Sequence, residues 1–347
     1  MNQFIPVGKI PPQILAKIIA ASPTGGNRVL LGPGIGLDCA VLDFGATALV
    51  LKTEPITFAT ANIGWYAVQI AANDITTTGA VPKWMLLTAL LPEMSTTPSL
   101  VEQISAQVAE TCRALDIALI GGHTEVTVGI DRPILVTTLI GEVPKNQLLT
   151  PRGARPGDRI ILTKGVPIEA TALLAAEFPA RLAGLLTVEE IDQAQAFLYH
   201  PGISVVRDAQ VAAASAAVTA MHDPTEGGIA TALWEFAEAC QHTLLVETEK
   251  IHVPELSQKI CSAFDIDPLG AIASGALLLT VMPEKQNQVL SAFASSSIQA
   301  AVIGEVQSGQ PGVYQKTARG LEKFKRFERD EITRVYETSP NPTGQEG

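Results

Sequence analysis

Hydrophobic positions recur along this chain in two rhythms, one of period two and one near 3.6, and the rhythms alternate from end to end. Residues 28–31, 40–44, 48–52, 84–91, 117–120 and 134–141 are short apolar runs between turn formers, and they predict strands. Residues 11–21 open on Pro11-Pro12 and predict a helix. In 64–78, Trp65, Val68, Ala72 and Ile75 recur at helical spacing. In 99–115, Val101, Ile104, Val108 and Cys112 share one helical face. The stretch from Thr150 to Asp158 is dense in Gly, Pro and Arg and reads as a boundary.

Beyond the boundary the alternation resumes. Strands are predicted over 159–164, 218–222, 277–281 and 300–303, with another around Leu244. Helices are predicted over 168–177, 187–198, 204–214, 228–240 and 285–294, the second opening on the capping-box pattern Thr187-Val188-Glu189-Glu190. The pattern predicts two α/β (α+β) domains, 1–150 and 151–338, and a disordered tail over 339–347. Each half has a strand running into a turn with Gly-Gly and a Thr-Glu pair. This points weakly to two related domains facing one another.

Composition narrows the function classes. With 347 residues and 47% apolar content the chain can bury two cores. A net charge of -11 argues against a nucleic-acid partner, since the one Lys/Arg-dense stretch, 316–329, is interrupted by acids. Cys39, Cys112, Cys240 and Cys261 are far apart and form no CxxC pair, so they read as small buried thiols. The first residues lack a basic n-region and an apolar h-region, and no apolar run reaches the roughly 20 residues that span a bilayer. A cytoplasmic protein without signal peptide or membrane contact is expected.

Five clusters could carry chemistry. In Gly32-Pro33-Gly34-Ile35-Gly36-Leu37-Asp38, Gly34 and Gly36 let backbone approach a phosphate and Asp38 could hold a metal. The run is neither a Walker loop nor GxGxxG, and a plain surface turn is the alternative. Lys52-Thr53-Glu54 lies at a strand end, where Glu54 could point into a cleft or simply be solvated. Asn73-Asp74 stands in an apolar helix, and a buried Asp is costly unless paired or metal-bound. In Ile120-Gly121-Gly122-His123-Thr124-Glu125 a strand runs into what reads as a ligand loop. Thr124 could donate to a phosphate, Glu125 could bind magnesium, and His123 could act as ligand, donor or general acid. A tight turn with polar tips is the alternative. In His222-Asp223-Pro224-Thr225-Glu226-Gly227-Gly228 the last glycine opens a helix, whose amide groups could face an anion, although Thr225 and Glu226 also suit plain caps.

The order of these motifs resembles the AIR-synthase-related (PurM-like) superfamily, which includes selenophosphate synthetase and thiamine-monophosphate kinase. Within it the chain is most similar to the HypE-like hydrogenase maturation factors. The matching pieces run from about Gly8 to Val306. They include Gly34 to Val41, Leu51 to Thr57, Asn73-Asp74-Ile75, Gly79 to Pro82, Gly121 to Thr127, His222 to Gly228, Asp267-Pro268-Leu269, Ala273 to Leu277 and Ile303 to Val306. The resemblance implies an N-terminal domain that dimerises through its strands and a ferredoxin-like α+β C-terminal domain. It also implies ATP with magnesium in a cleft at the dimer interface. It implies metal ligands at Asp38, Glu54, Asp74 and Glu125, with Asp74 and His123 in catalytic roles. Nucleotide contacts are implied at Gly34, Gly36, Lys52, Thr53, Asn73, Gly121, Gly122, Thr124, Asp223, Thr225, Gly227 and Gly228. The shared chemistry is phosphoryl activation of a carbonyl, amide or phosphate-acceptor oxygen. The acceptor would be an unknown small molecule or protein, and other maturation proteins are candidate partners.

Three departures stand out. Glu54 replaces a common Asp. His123 follows Gly-Gly where relatives carry an acid. The carbamoyl dehydratase's C-terminal acceptor cysteine has no counterpart in the tail Asn341 to Gly347. Two readings follow: an ATP-dependent enzyme acting on another acceptor, or a non-catalytic nucleotide-binding assembly partner. A nucleotide-independent metallohydrolase using His123 and His222 fits less well, because no HxxxH-type pair exists.

Overall fold

The computed structural model describes residues 5, 8, 10–57, 59, 61–317 and 319–338. The chain forms two compact units. Helix α1 (Pro12–Ala21) and Gly34–Gly36 group with the second. The first unit, Thr24–Pro33 with Leu37–Leu149, contains in chain order β1 (Val29–Leu31), β2 (Ala40–Phe44), β3 (Thr47–Ile56), α2 (Ile63–Thr77), β4 (Val81–Pro92), α3 (Pro98–Ala114), β5 (Ala118–Thr127) and β6 (Ile134–Pro144).

Its sheet has the order β1-β2-β3-β6-β4-β5. β3 and β6 pair antiparallel from Thr47↔Pro144 to Ile56↔Leu135, whereas β5 runs parallel to β4 at the edge. Alternation assigns the faces. Ala48, Val50 and Ile56 of β3, Leu135, Leu139 and Val143 of β6, and Met85 and Ala89 of β4 are all buried on the side of α2. Helix α2 is buried along nearly its whole length, which explains why its sequence is apolar all round rather than on one stripe. Burying each such aliphatic side chain contributes about 1.5–3 kcal/mol, so this face dominates the unit's stability.

The Gly121-Gly122 segment is not the expected turn. β5 continues straight through it to Thr127. The β4–β5 register shifts between Met85 and Leu86, leaving Ile120 as an extra residue. Gly122 absorbs that bulge at φ 153°, where a Cβ would stand 1.9 Å from the Leu87 carbonyl oxygen. Glycine is here because strand backbones approach closely.

The second unit carries β7 (Arg159–Thr163), α4 (Ile168–Glu177), α5 (Pro179–Leu182), α6 (Val188–Ala196), α7 (Val206–Ala214), β8 (Val218–His222), α8 (Gly228–Cys240), β9 (Thr243–Val246), α9 (Glu255–Ala263), β10 (Leu278–Val281), α10 (Gln286–Ser295), β11 (Ala300–Gln307), β12 (Gly312–Thr317), β13 (Gly320–Lys323) and α11 (Ile332–Thr338). Its sheet has the order β13-β12-β9-β11-β7-β10-β8, antiparallel except for β12 beside β9. Ile160, Leu162, Ala220, Leu278 and Ile303 of the sheet pack with Ile229, Leu233 and Phe236 of α8 in its core. Both units are mixed α/β structures. α5, α9, β12, β13 and α11 were not legible in the periodicity, and β13 and α11 fall in the charged stretch from Gly320 onward. The tail expected over 339–347 lies outside the described residues. Among the described residues no helix is long and apolar enough to cross a membrane.

Candidate functional site

Lys52 and Glu54 are two residues apart on β3, so both project to the α2 side of the sheet. There they meet Asp74, in the last turn of α2. The Lys52 ammonium is 3.0 Å from Asp74 Oδ2 and 3.1 Å from Glu54 Oε2. Asp74 is only 4% exposed and Lys52 15%. An acid at a helix C-terminus is disfavoured by the helix dipole, and α2 has no basic residue in that turn. Lys52 supplies the missing positive charge from the sheet. Burial opposes the lysine charge, yet Asp74, then Glu54 and Asp38, outweigh it and hold Lys52 well above the usual lysine value. The field of Asp38 therefore reaches this cluster. Cys39 donates its thiol to the Asp74 carbonyl at 3.4 Å, and Asn73 is fully buried next to it.

Other predicted residues are placed elsewhere. Thr53 points to the opposite face, where its hydroxyl is 3.0 Å from that of Thr138. His123 and Glu125 face that same open side, since Thr88 pairs with His123 and Leu90 with Glu125. They bond to each other, His123 Nε2 to Glu125 Oε2 at 3.0 Å. Thr124 alternates to the other side. The transverse row Glu54–Thr137–Leu87–Gly122 spans three strand spacings, about 14 Å. Within one chain, the His123–Glu125 pair is therefore not brought to Glu54 and Asp74. Gly36 has a packing role: a Cβ there would stand 2.3 Å from the Glu235 carbonyl oxygen.

In the second unit, the His222–Gly228 loop connects β8 to α8. His222 and Asp223 are buried, with His222 Nε2 3.6 Å from Glu235 Oε2. The amides expected to face an anion are taken internally. Gly227 donates to Asp330 Oδ2 at 2.5 Å, and Gly228 donates to the Thr225 carbonyl at 3.0 Å. Asp330 Oδ1 also accepts from Ile332 at 2.8 Å and Ile272 at 3.3 Å. Burial nevertheless pushes the Asp330 carboxyl up to about 7, against those amide bonds and with the charge of Glu226. Glu169, in the first turn of α4, bonds to Ser274. Among the described residues its buried Oε2 has no hydrogen-bond partner. Burial, then the charges of Glu226 and Asp330, push Glu169 up to about 8 against its bonds to Ser274.

Glu169 and Asp330 were missed in the sequence. Glu169 carried the signal that singled out Asp74, a lone acid in an apolar helix, Ile168-Glu169-Ala170-Thr171-Ala172-Leu173-Leu174. Asp330 had none, because it follows a run of other charges. The four cysteines are buried, and burial pushes Cys112 and Cys240 up to about 11 and Cys261 up to about 12. Thiols held so far up are poor nucleophiles at neutral pH.

Comparison with known proteins supplies the family. Residues 36–143 match the AIR synthase related protein N-terminal domain, and residues 155–316 match its C-terminal domain. A carbamoyl dehydratase HypE of Rhizobium leguminosarum bv. viciae is 30% identical over 257 residues, covering 73% of this chain and 70% of that protein. The putative hydrogenase expression/formation protein MJ0676 of Methanocaldococcus jannaschii is 28% identical over 302 residues, 83% of this chain and 85% of its own. A crystal structure of the hydrogenase maturation protein HypE in complex with ATP superposes with a TM-score of 0.69 at 23% identity, covering 91% of this chain and 95% of that one. The chain belongs to the AIR synthase-related, PurM-like superfamily that includes the HypE proteins.

Proposed function

We propose that this chain binds a magnesium nucleotide in its N-terminal unit and uses ATP to activate an acceptor oxygen, in a carbonyl, amide or phosphate group, by phosphoryl transfer. The observation that carries this is the convergence of Glu54 and Asp74 on one cation position within the field of Asp38. The donors fit the ion: magnesium takes carboxylate oxygens and keeps several waters, and the pair already holds a positive charge. Bound magnesium would neutralise phosphate charge. Asp38, Glu54 and Asp74 would orient the nucleotide through it, and Lys52 would add a second positive charge. Buried Asn73 would hold the end of α2 in register. A HypE whose structure contains ATP supports the nucleotide reading.

The acceptor is a separate small molecule or a protein partner, since all four cysteines are buried and burial pushes Cys112, Cys240 and Cys261 well up. The exposed His123–Glu125 pair is a candidate for proton transfer rather than a fourth ligand to the same ion. A second copy is the proposed partner of the first unit's sheet. β5 is a ten-residue edge strand, and Leu119, Ile120, Val81 and Leu86 near it are 39–56% exposed. Calorimetry with AMPPCP and magnesium tests the binding claim: affinity that needs the metal and is lost in Asp74→Asn is expected, and no binding by the native chain would sink it. ATP turnover abolished by Asp38→Asn would distinguish an enzyme from an assembly partner that only holds nucleotide.

A further inference from the structure

Lys52 has a relationship to the acids that a phosphate-binding role does not require. Its ammonium bridges two carboxylates instead of extending to solvent, at 3.0 Å from one and 3.1 Å from the other. A magnesium ion bonded to the same two oxygens would lie about 2.0–2.1 Å from each. An ammonium and a divalent ion cannot share that position, because both need the same oxygens and both are positive. The position is also poorly hydrated, with Asp74 and Lys52 at 4% and 15% exposure, so the two acids need a counter-charge that stays.

We infer that Lys52 is a covalently attached substitute for one divalent ion, closing the Glu54–Asp74 pair so that this site takes one metal ion fewer than its acids alone would hold. The inference rests on the magnesium reading above and narrows it. Metal bound near this pair has to sit beside the ammonium rather than between the two acids, and Lys52 sets the ion count. The lysine is suited to this role. It is a compact point charge on a four-carbon stem, and β3 delivers it to the same face as Glu54.

The test is metal binding alone, without nucleotide. Free Mn2+ is titrated by electron paramagnetic resonance against the full-length native chain, Lys52→Met, Lys52→Arg and the double variant Lys52→Met/Asp74→Asn. Lys52→Met is expected to bind one Mn2+ per chain more than the native protein does. Lys52→Arg keeps the charge and should gain none, and the double variant should lose the gain. Equal metal number and affinity in the native chain and Lys52→Met overturns the inference. Thermal melts with and without Mn2+ separate loss of fold from loss of the site. A melt restored by Mn2+ in that variant but insensitive to it in the native chain supports the substitution, whereas a variant unfolded under both conditions while Lys52→Arg folds overturns it. If the native chain fails to bind AMPPCP while Lys52→Met gains its Mn2+, the nucleotide reading falls and the lysine inference stands.

Discussion

The two units each collect buried acids near the end of a helix, and they neutralise them differently. In the first, Glu54 and Asp74 are neutralised by an ammonium, Lys52. In the second, no cation is among the groups that shift Glu169 and Asp330, and burial with the charge of Glu226 raises both, which favours their protonated forms. A fixed ammonium leaves two charged carboxylates in place and occupies the position between them. A proton removes the charge altogether and leaves hydrogen-bonded packing. Buried acids therefore do not by themselves indicate a metal site; what neutralises them is the more informative observation.

The sharpest break is at Asp330. Asp330→Ala leaves the amides of Gly227, Ile272 and Ile332 without their acceptor. Unpaired buried donors cost enough that a loss of about 3 kcal/mol in urea unfolding is expected. A loss below about 1 kcal/mol would mean that Asp330 is not the bracket that holds the α8 entry. Next comes Asp74→Asn, expected to weaken magnesium-nucleotide affinity about a hundredfold, or about 2.7 kcal/mol, by calorimetry. Unchanged affinity would make the ammonium-neutralised cluster purely structural.

A pH titration separates the two modes of neutralisation. Glu169 has a folded value near 8 against 4.5 ordinarily, so the folded state holds the proton more tightly. Its contribution to stability is full below pH 4.5 and is lost as pH rises to about 8. Asp330 follows the same sign between 3.8 and about 7. Lys52 is held above its ordinary 10.5 and keeps its charge throughout that window, so its own contribution is present below 10.5 and disappears only at still higher pH. Glu169→Gln should flatten the acid-to-alkaline decline and add about 2 kcal/mol at pH 8. A decline of the same slope in the variant would assign the proton linkage elsewhere. The smallest effect is expected at His123. Its hydrogen bond to Glu125 is exposed, so His123→Gln should change chemical stability by less than about 0.5 kcal/mol. A larger change would mean that the pair is built into the first unit's core.

Local pattern made most of the elements legible. Short apolar runs between turn formers marked β2, β3, β4 and β6, and the apolar helix carrying Asn73-Asp74 marked α2. The chemistry of an acid flanked by apolar residues marked Asp74 as unusual, and the same criterion applied to Ile168-Glu169-Ala170 would have found Glu169. Gly121-Gly122 misled because two consecutive glycines suit a tight turn and a strand bulge equally well. The choice depends on how closely Leu87 of the neighbouring strand approaches. Gly227 and Gly228 likewise read as open amides until Asp330, more than a hundred residues away, claims the first.

What the sequence determined by itself is the order of most strands and helices, the acidic balance, and that an acid such as Asp74 in an apolar helix is too costly to bury alone. Those properties belong to short stretches and to single side chains. The tertiary structure alone decided that Lys52 meets both Glu54 and Asp74, that His123 and Glu125 face the other side of the same sheet, and that Glu169 and Asp330 come under the charge of Glu226. Each depends on sheet order and on which strand face meets which helix. These are set by the packing of residues far apart in the chain, and no local rhythm encodes them.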